Sequence, residues 1–334
     1  MPPDLAPASL RALLDCFSTR RILVVGDLML DEFIWGAVTR ISPEAPVPVV
    51  NVTGESYYPG GAANVARNVH EFTPSTSVMG VAGTDAPGDR LLDILASSGI
   101  DTTAVQRDPS VSTTMKTRII ARNQQVVRVD RERAAPLSPE LTAAAIARLD
   151  SIIPQFDGII VADYGKGFLT QPLADHLGRT ARAGGKILTI DPHPRTSLAW
   201  HGATAIKPNR AEAFLAAGLP PSTPVWPALE DAALIEAGER LLRLWQSSSL
   251  LITLGEQGML LFQGDAPPYH TPTRAQSVFD VSGAGDTAIA VLTLALTAGA
   301  TPAQAAELAN RASGIVVGKL GTATVTPGEL AAAL

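Results

Sequence analysis

The chain has 334 residues, of which 46% are hydrophobic and 17% charged, and this balance excludes a disordered polymer. Its 26 Lys and Arg residues against 32 Asp and Glu residues give a net charge of −6, which argues against a general nucleic-acid-binding protein. The single cysteine, Cys16, excludes an internal disulfide and a cysteine-based zinc site, and we expect it to pack rather than react.

Short apolar runs alternate with segments of helical spacing along most of the chain. Buried strands are predicted by the apolar runs at 21–25, 77–81, 158–162, 186–190, 203–206 and 249–254. Helices are predicted at 62–72, 88–98, 173–183, 231–245 and 287–298, and the second of these ends at Gly99, a usual C-cap. This alternation predicts an α/β fold in which helices cover both faces of a parallel sheet.

Two stretches break this rhythm. Residues 111–130 predict two strands with a turn near Asn123, and residues 33–58 are extended, with prolines that confine a strand to an edge or a bulge. We expect these stretches, 33–58 and 111–130, to form one small antiparallel sheet that stands off the main domain as a lid. The proline-rich stretch 220–227 is interpreted as a loop, so residues 1–334 are expected to form one domain.

No membrane segment is expected. The N-terminus lacks the basic start and apolar core of a signal peptide, and the most apolar segment, 289–300, is shorter than the roughly 20 residues that a bilayer requires. We therefore expect a cytoplasmic protein with no membrane association.

The most informative motif is D-V-S-G-A-G-D-T at 280–287. Gly283, Ala284 and Gly285 can expose backbone N–H groups at the positive end of the helix that follows, which is a place for a phosphate. Asp286 at the edge of such a site suits a base that accepts a proton from an attacking hydroxyl. Two other interpretations exist: Asp286 interacts only with the helix dipole, or G-x-G-x-x-A binds a dinucleotide. The dinucleotide pattern should open the first βαβ unit, whereas here a helix, a short strand and a tail are expected to follow.

This motif resembles the carboxy-terminal signature of the ribokinase-like, or PfkB, carbohydrate kinases. Their amino-terminal signature is matched by P-G-G-A-A-N-V-A at 59–66. The resemblance covers essentially the whole chain and implies a ribokinase-like, doubly wound, mostly parallel sheet flanked by helices, with a small β-sheet lid. It further implies transfer of a phosphoryl group from ATP to a sugar hydroxyl with Mg²⁺, K⁺ binding beside the glycine-rich loop, and a homodimer through the lid.

A closer resemblance lies in the loops outside these signatures, at 26–31, 40–49, 116–125, 163–167 and 317–322. They are similar to the kinase domain of the bacterial bifunctional heptose enzymes, in its stand-alone form. This implies D-glycero-β-D-manno-heptose 7-phosphate as the substrate, phosphorylated at its anomeric hydroxyl for ADP-heptose and lipopolysaccharide core synthesis. Fructose 6-phosphate, tagatose 6-phosphate, a specialised-metabolite heptose and a non-catalytic sugar sensor are the alternatives.

The resemblance also implies roles for individual residues. Besides Asp286 as base and the 283–285 amides as anion hole, the sugar is expected to contact Asp27, Asp31, Gly60, Gly61 and Asn64. The nucleotide side is expected to comprise Lys207, Asn209, Glu212, Thr253, Gly255, Gly258 and Asn310. Asn209 and Glu212 are expected near Mg²⁺, partly through water, although N-x-x-E is also a helix capping box. Candidate K⁺ ligands are Asp280 and Ser282.

The substrate's own phosphate requires a cation. The candidates are Arg118 and Lys166, with Arg122, Arg128 and Lys319 as further possibilities. The five histidines fit no metal or triad pattern and receive no catalytic role.

Overall fold

The computed structural model describes residues 5–122, 124–275 and 278–334. Within these ranges the strands, in chain order, are β1 (Ile22–Gly26), β2 (Leu28–Ile41), β3 (Pro48–Gly61), β4 (Thr76–Met79), β5 (Val81–Gly83), β6 (Gln106–Asp108), β7 (Thr114–Ala121), β8 (Gln124–Arg131), β9 (Gly158–Ala162), β10 (Ile187–Asp191), β11 (Ala205–Ile206), β12 (Ser249–Thr253), β13 (Met259–Gln263) and β14 (Ala266–Thr271).

The α-helices of the same ranges are α1 (Pro7–Asp15), α2 (Ala62–His70), α3 (Ala86–Ser97), α4 (Pro139–Ile152), α5 (Gln171–Ala183), α6 (Arg210–Ala216), α7 (Ala232–Trp245), α8 (Ala284–Thr297), α9 (Pro302–Val316) and α10 (Pro327–Ala332). Within the described part of the chain, none of them combines the length and apolar character needed to cross a bilayer.

The main sheet has eight strands in the order β14-β13-β12-β11-β10-β9-β1-β4. The pairings from β12 to β4 are parallel, as the alternation of strands and helices predicted. The hairpin β13–β14 extends one edge in antiparallel fashion and was not predicted. Prolines 267 and 268 obscure β14 in the sequence, and an edge strand tolerates them because its outer N–H groups need no partner.

Each face of the main sheet buries its own apolar layer. Side chains alternate along a strand, so Val24 packs with α2, α8 and α9, whereas Leu23 packs with α4, α5 and α7. Both residues are fully buried, as are the strand residues beside them. Burial of each such side chain contributes about 1.5–3 kcal/mol, and these layers hold the carboxyl ends of the strands in fixed positions.

The lid is a separate four-stranded sheet in the order β3-β2-β7-β8. The β2–β3 hairpin extends beyond the predicted range 33–58 at both ends, whereas β7 begins three residues inside the predicted range 111–130 and β8 ends one residue beyond it. The expectation of an antiparallel sheet is wrong at its centre, because β2 and β7 pair in parallel. Both strands run outward from the main domain, β2 directly after β1, and they therefore point the same way. The turn near Asn123 lies outside the described residues.

The glycine-rich motif and the region after it also differ from the prediction. Helix α8 begins at Ala284 rather than 287, so Asp286 lies inside its first turn. The region after α8 contains α9 and α10, not the short strand that the sequence suggested. The proline-rich stretch 220–227 is a loop, as predicted.

Candidate active site

Four polar side chains follow neighbouring parallel strands at the carboxyl edge of the main sheet. Asp27 follows β1, Tyr164 follows β9, Asp191 ends β10 and Lys207 follows β11. Ligands of doubly wound sheets bind at this edge. Helix α8 starts above the same strands and contributes Asp286.

The carboxylate of Asp286 is held from two sides. Asn64 Nδ2 donates to Oδ2 at 2.6 Å, and the Tyr164 hydroxyl donates to Oδ1 at 2.5 Å. Burial raises the pKa of Asp286 to about 6, and the two hydrogen bonds oppose that rise. A positioned carboxylate that titrates near neutrality suits a general base.

The start of α8 forms a cradle for negative charge. Gly283, the N-cap, has a φ of 80°. The N–H groups of the first turn have no acceptor inside the helix, and the Ala284 N–H donates to the Val281 carbonyl at 3.3 Å. A Cβ atom on Gly285 would lie 3.5 Å from Lys207 Nζ. Because glycine has no side chain, the Lys207 ammonium faces the backbone of this turn directly. Backbone amides and one cation therefore converge on the same small volume, as an anion hole requires.

Lys207 is held in place by an ion pair. Its ammonium lies 3.0 Å from Asp191, and it is buried. Burial raises the pKa of Asp191 to about 6, and the Lys207 charge opposes that rise. Asp191 was not among the predicted site residues, although the D-P pair that ends its strand marked the position.

The predicted sugar residues lie on the lid and at the start of α2. Arg118 Nη1 donates to Asp31 Oδ1 at 2.5 Å. A Cβ on Gly60 would lie 2.7 Å from Asp31 Oδ2, so glycine lets this carboxylate lie close to the backbone of β3. Gly61 has a φ of 58°, in the left-handed region that favours glycine. Asn64 is buried, and its Oδ1 has no partner among the described residues, which leaves an acceptor for a hydroxyl.

Asp27 has a different environment from Asp31. Its carboxylate accepts hydrogen bonds from the backbone N–H groups of Tyr164, Lys166 and Phe168, at 2.9–3.0 Å. These bonds fold the loop 163–168 around a buried acid. These contacts indicate a loop-holding role for Asp27, and its contact with the sugar stays a prediction.

The predicted nucleotide residues surround the ends of β11, β12 and β14. Asn209 and Glu212 form the capping box of α6, with reciprocal side-chain to backbone bonds of 2.9 and 2.8 Å. The backbone of Asn209 also forms an isolated parallel β-bridge with Thr253. Gly255 and Gly258, which follow β12, have positive φ values of 60° and 88°.

Asn310 and Asp280 are both engaged with backbone groups. The Asn310 amide donates to Thr271 and to the carbonyl of Pro272, and so holds the end of β14. Asp280 accepts from the N–H groups of Ser282 and Gly321. Burial alone would raise the pKa of Asp280, but these amide bonds hold it below its ordinary value.

The candidate cations for a substrate phosphate all have protein partners. Arg122 donates to the Val38 carbonyl, Arg128 pairs with Asp130, Lys319 pairs with Glu329, and Lys166 pairs with Glu132. Sequence reasoning missed Tyr164 as the partner of Asp286 because the two residues are 122 positions apart. The D-Y-G-K-G motif at 163–167, which contains Tyr164, was the one sequence feature that pointed to this position.

Comparisons with known proteins agree with this geometry. The model of the pfkB family carbohydrate kinases matches residues 19–328. The bifunctional protein HldE of Desulfatibacillum aliphaticivorans is 45% identical over 319 residues, which are 95% of this chain and 64% of the relative. The chain thus spans slightly less than two thirds of that relative's length.

Solved structures share the fold. Phosphofructokinase-2 of Escherichia coli, in complex with potassium, aligns with a TM-score of 0.74 and 17% identity over 93% of this chain and 97% of its own. Ribokinase of Arabidopsis thaliana, complexed with ribose and ATP, aligns with a TM-score of 0.69 and 16% identity over 94% and 98% of the two chains. These alignments confirm the predicted ribokinase-like fold. The chain therefore belongs to the pfkB family of carbohydrate kinases and is a sugar kinase that uses ATP and a divalent metal.

Proposed function

We propose that the protein phosphorylates the anomeric hydroxyl of D-glycero-β-D-manno-heptose 7-phosphate to give the 1,7-bisphosphate, the step toward ADP-heptose and lipopolysaccharide core. One observation carries this proposal. Three of the loops that resemble the heptose enzymes, 26–31, 116–125 and 163–167, are linked to one another and to Asp286 by the Arg118–Asp31 pair, the Asp27 bonds to the 163–168 loop and the Tyr164–Asp286 hydrogen bond. The resemblance of these loops to the heptose enzymes bears on the identity of the substrate, because the loops lie near the sugar. The catalytic signature is common to the whole family and does not distinguish between sugars.

In this mechanism Asp286 accepts the proton of the attacking hydroxyl, and Asn64 and Tyr164 hold the carboxylate toward it. The amides at 283–285 and the Lys207 ammonium stabilise negative charge on the transferring group. Asp31 and the free Oδ1 of Asn64 accept hydrogen bonds from sugar hydroxyls. Asp31 and Asn64 are buried, and Asp286 and Tyr164 are half-buried, so their hydrogen bonds are stronger than those of exposed groups.

The residues present suit ATP and Mg²⁺. A Cβ on Gly258 would lie 2.2 Å from the Thr271 carbonyl, so this turn keeps its backbone close to β14, beside Asn310. Glu212 has a carboxylate oxygen beyond the one used in the capping box, and Mg²⁺ binds through one or two carboxylates plus water. When bound, Mg²⁺ neutralises charge on the ATP phosphates. Asp280 and Ser282 are the proposed K⁺ ligands.

We further propose that the lid forms a homodimer. Ile34, Ile119 and Val127 are register partners on adjacent strands and share the face opposite Arg118. Val127 and Val129 on that face are 45% and 41% exposed. An apolar sheet face with an open edge has a physical reason to pair with a second copy.

A coupled ADP-release assay with ATP and Mg²⁺ tests the substrate. The panel is heptose 7-phosphate, sedoheptulose 7-phosphate, fructose 6-phosphate, tagatose 6-phosphate, ribose and fructose. We expect the largest kcat/KM for the manno-heptose phosphate, and a larger value for any hexose or pentose would refute this substrate assignment.

The variant Asp286→Asn tests the base separately. Its kcat should fall on the order of 10²- to 10⁴-fold, as expected for loss of a general base, while the Kd of the sugar stays within a few fold. Near-normal turnover would show that another group accepts the proton.

A further inference from the structure

A cluster of charged side chains lies at the lid, beside Asp31, which is assigned to the sugar hydroxyls. Lys116 on β7 and Lys166 in the 163–168 loop both donate to one atom, Glu132 Oε2, at 3.2 and 2.7 Å. Only 17% and 19% of their side-chain surfaces are exposed, although lysine side chains normally extend into water. Two largely buried ammonium groups therefore converge on a single carboxylate oxygen.

The cluster carries an excess of positive charge. Asp130 pairs with Lys116 at 3.0 Å and with Arg128 at 2.9 Å. Three cations thus face two carboxylates, Asp130 and Glu132. Convergent donors with a net positive charge suit an anion that has several oxygens, such as a phosphate monoester.

The cluster lies next to the proposed sugar site. Lys116 is the register partner of Asp31 on the adjacent strand, so the two side chains share the lid face that also presents Arg118. Lys166 follows Tyr164 by two residues in the loop that Asp27 holds. One loop therefore contacts Asp286 through Tyr164 and this cluster through Lys166.

The other candidate cations are less suited to this task. Arg118 is bound to Asp31 and lies over the Phe33 ring, 5.2 Å from its centroid. Arg122 donates to a lid carbonyl, and Lys319 is held by Glu329 and the Thr324 carbonyl. Among the described residues, none of these three cations shares an acceptor atom with a second cation, as Lys116 and Lys166 do.

We propose that Lys116 and Lys166 bind the phosphate that the sugar substrate already carries, and that Glu132 lies between them until this phosphate arrives. The inference rests on the proposed function, because an unphosphorylated substrate offers the two lysines no ligand. Glu132 lies one residue beyond β8, at the start of a segment without regular secondary structure. Its side chain can therefore withdraw without breaking the lid's strand pairing.

Direct binding in the absence of ATP tests the proposal. Isothermal titration calorimetry compares heptose 7-phosphate with unphosphorylated manno-heptose on the wild type, Lys116→Met and Lys166→Met. Each variant should weaken binding of the phosphorylated sugar about 10- to 100-fold, the loss expected for one charge-assisted hydrogen bond. Binding of the unphosphorylated sugar should stay within about twofold.

Two further variants sharpen the test. Glu132→Gln keeps the shape of the side chain but removes the competing charge, so it should tighten binding of the phosphorylated sugar several-fold. Lys186→Met is the matched control, because Lys186 donates to the Pro154 carbonyl at the opposite, amino end of β10. Its binding of both sugars should equal that of the wild type. Circular dichroism identifies any variant that fails to fold. If both lysine variants fail to fold, the affinity of Glu132→Gln for the phosphorylated sugar tests the proposal by itself.

The outcomes separate the two proposals. Equal weakening of both sugars would mean that the lysines only support the lid, and unchanged binding would place the phosphate elsewhere; either result overturns the two-lysine site and leaves the proposed function intact. If the wild type binds no phosphorylated sugar but does bind an unphosphorylated one, the proposed function itself fails, and the site with it.

Discussion

Replacement of Tyr164 by Phe isolates the hydrogen bond that reaches Asp286 from the 163–168 loop. The hydroxyl donates to Oδ1 at 2.5 Å, and burial together with the Asp286 and Asp191 charges raises the pKa of Tyr164 well above its ordinary value. The phenol therefore stays neutral and donates across the working pH range. Its donation favours the ionised carboxylate, so its removal raises the pKa of Asp286.

The size of this effect follows from the energy of one bond. A hydrogen bond to a charged group contributes about 1.5–3 kcal/mol, and one pKa unit corresponds to about 1.4 kcal/mol. The pKa of Asp286 should therefore rise by about one to two units from its wild-type value of about 6. A rise of about 1.5 units lowers the ionised fraction at pH 7 about fourfold, and the loss disappears above about pH 9.

The assay is kcat/KM against pH for wild type and Tyr164→Phe, because this parameter reports the free enzyme. Asn64, Asp191 and Lys207 also face Asp286 but are the same in both proteins, and so is the titration of the substrates. Tyr57→Phe is the matched control, since its hydroxyl also donates to a carboxylate, that of Glu55, on the lid. An acid limb that coincides with the wild type, with activity lowered equally at every pH, would refute the role of Tyr164.

Two further substitutions test the groups that hold the site. Asp27→Asn should destabilise the protein by about 2 kcal/mol or more, because an amide cannot accept from three N–H groups as a carboxylate does; urea unfolding measures this loss. A variant as stable as the wild type would contradict the loop-holding role. Lys207→Met should lower kcat on the order of 10²- to 10³-fold with little change in sugar KM, since its charge faces the anion hole. A change confined to sugar KM would place the lysine outside the transition-state site.

The sequence predicted the parts of the fold that local pattern determines. The strands at 158–162 and 249–253 and the helix end at Gly99 lie where apolar runs and glycine indicated. The capping box of Asn209 and Glu212 is likewise a local signal, and the structure contains it. These features depend on residues within one turn or one strand, so no distant contact is needed to specify them.

Strand direction in the lid was not predictable from the same signals. Alternation of side chains indicates which face of β2 or β7 is buried, but it is the same for parallel and antiparallel neighbours. The parallel pairing of β2 with β7 follows from where both strands leave the main domain. That is a property of the whole topology, and no short stretch of sequence contains it.

The different environments of Asp27 and Asp31 also depend on distant contacts. Both acids lie in one short motif, and the sequence alone suggested sugar contact for both. The structure ends β1 at Gly26 and starts β2 at Leu28, so Asp27 lies between strands and turns toward the backbone of the 163–168 loop. Asp31 lies within β2, on the face that presents Arg118. Contacts with residues more than 80 positions away give the two acids these different environments, and sugar contact by either one stays a prediction.

The arrangement that prepares Asp286 for chemistry should also reduce the stability of the protein. In the folded state its pKa is about 6, against an ordinary value of 3.8, so the folded protein binds this proton more tightly than the unfolded chain does. Stability from this group is therefore greatest below about pH 4 and falls as the pH rises through 6. Asp286→Asn cannot ionise, and its amide can still pair with Asn64 and Tyr164.

We therefore expect Asp286→Asn to be more stable than the wild type at pH 8, by at most about 3 kcal/mol for a shift of about two units, and the difference should shrink toward pH 4. Urea unfolding midpoints at pH 8 and pH 5 measure it. A variant that is less stable than the wild type by the same amount at both pH values would mean that the ionised carboxylate is fully compensated by its hydrogen bonds.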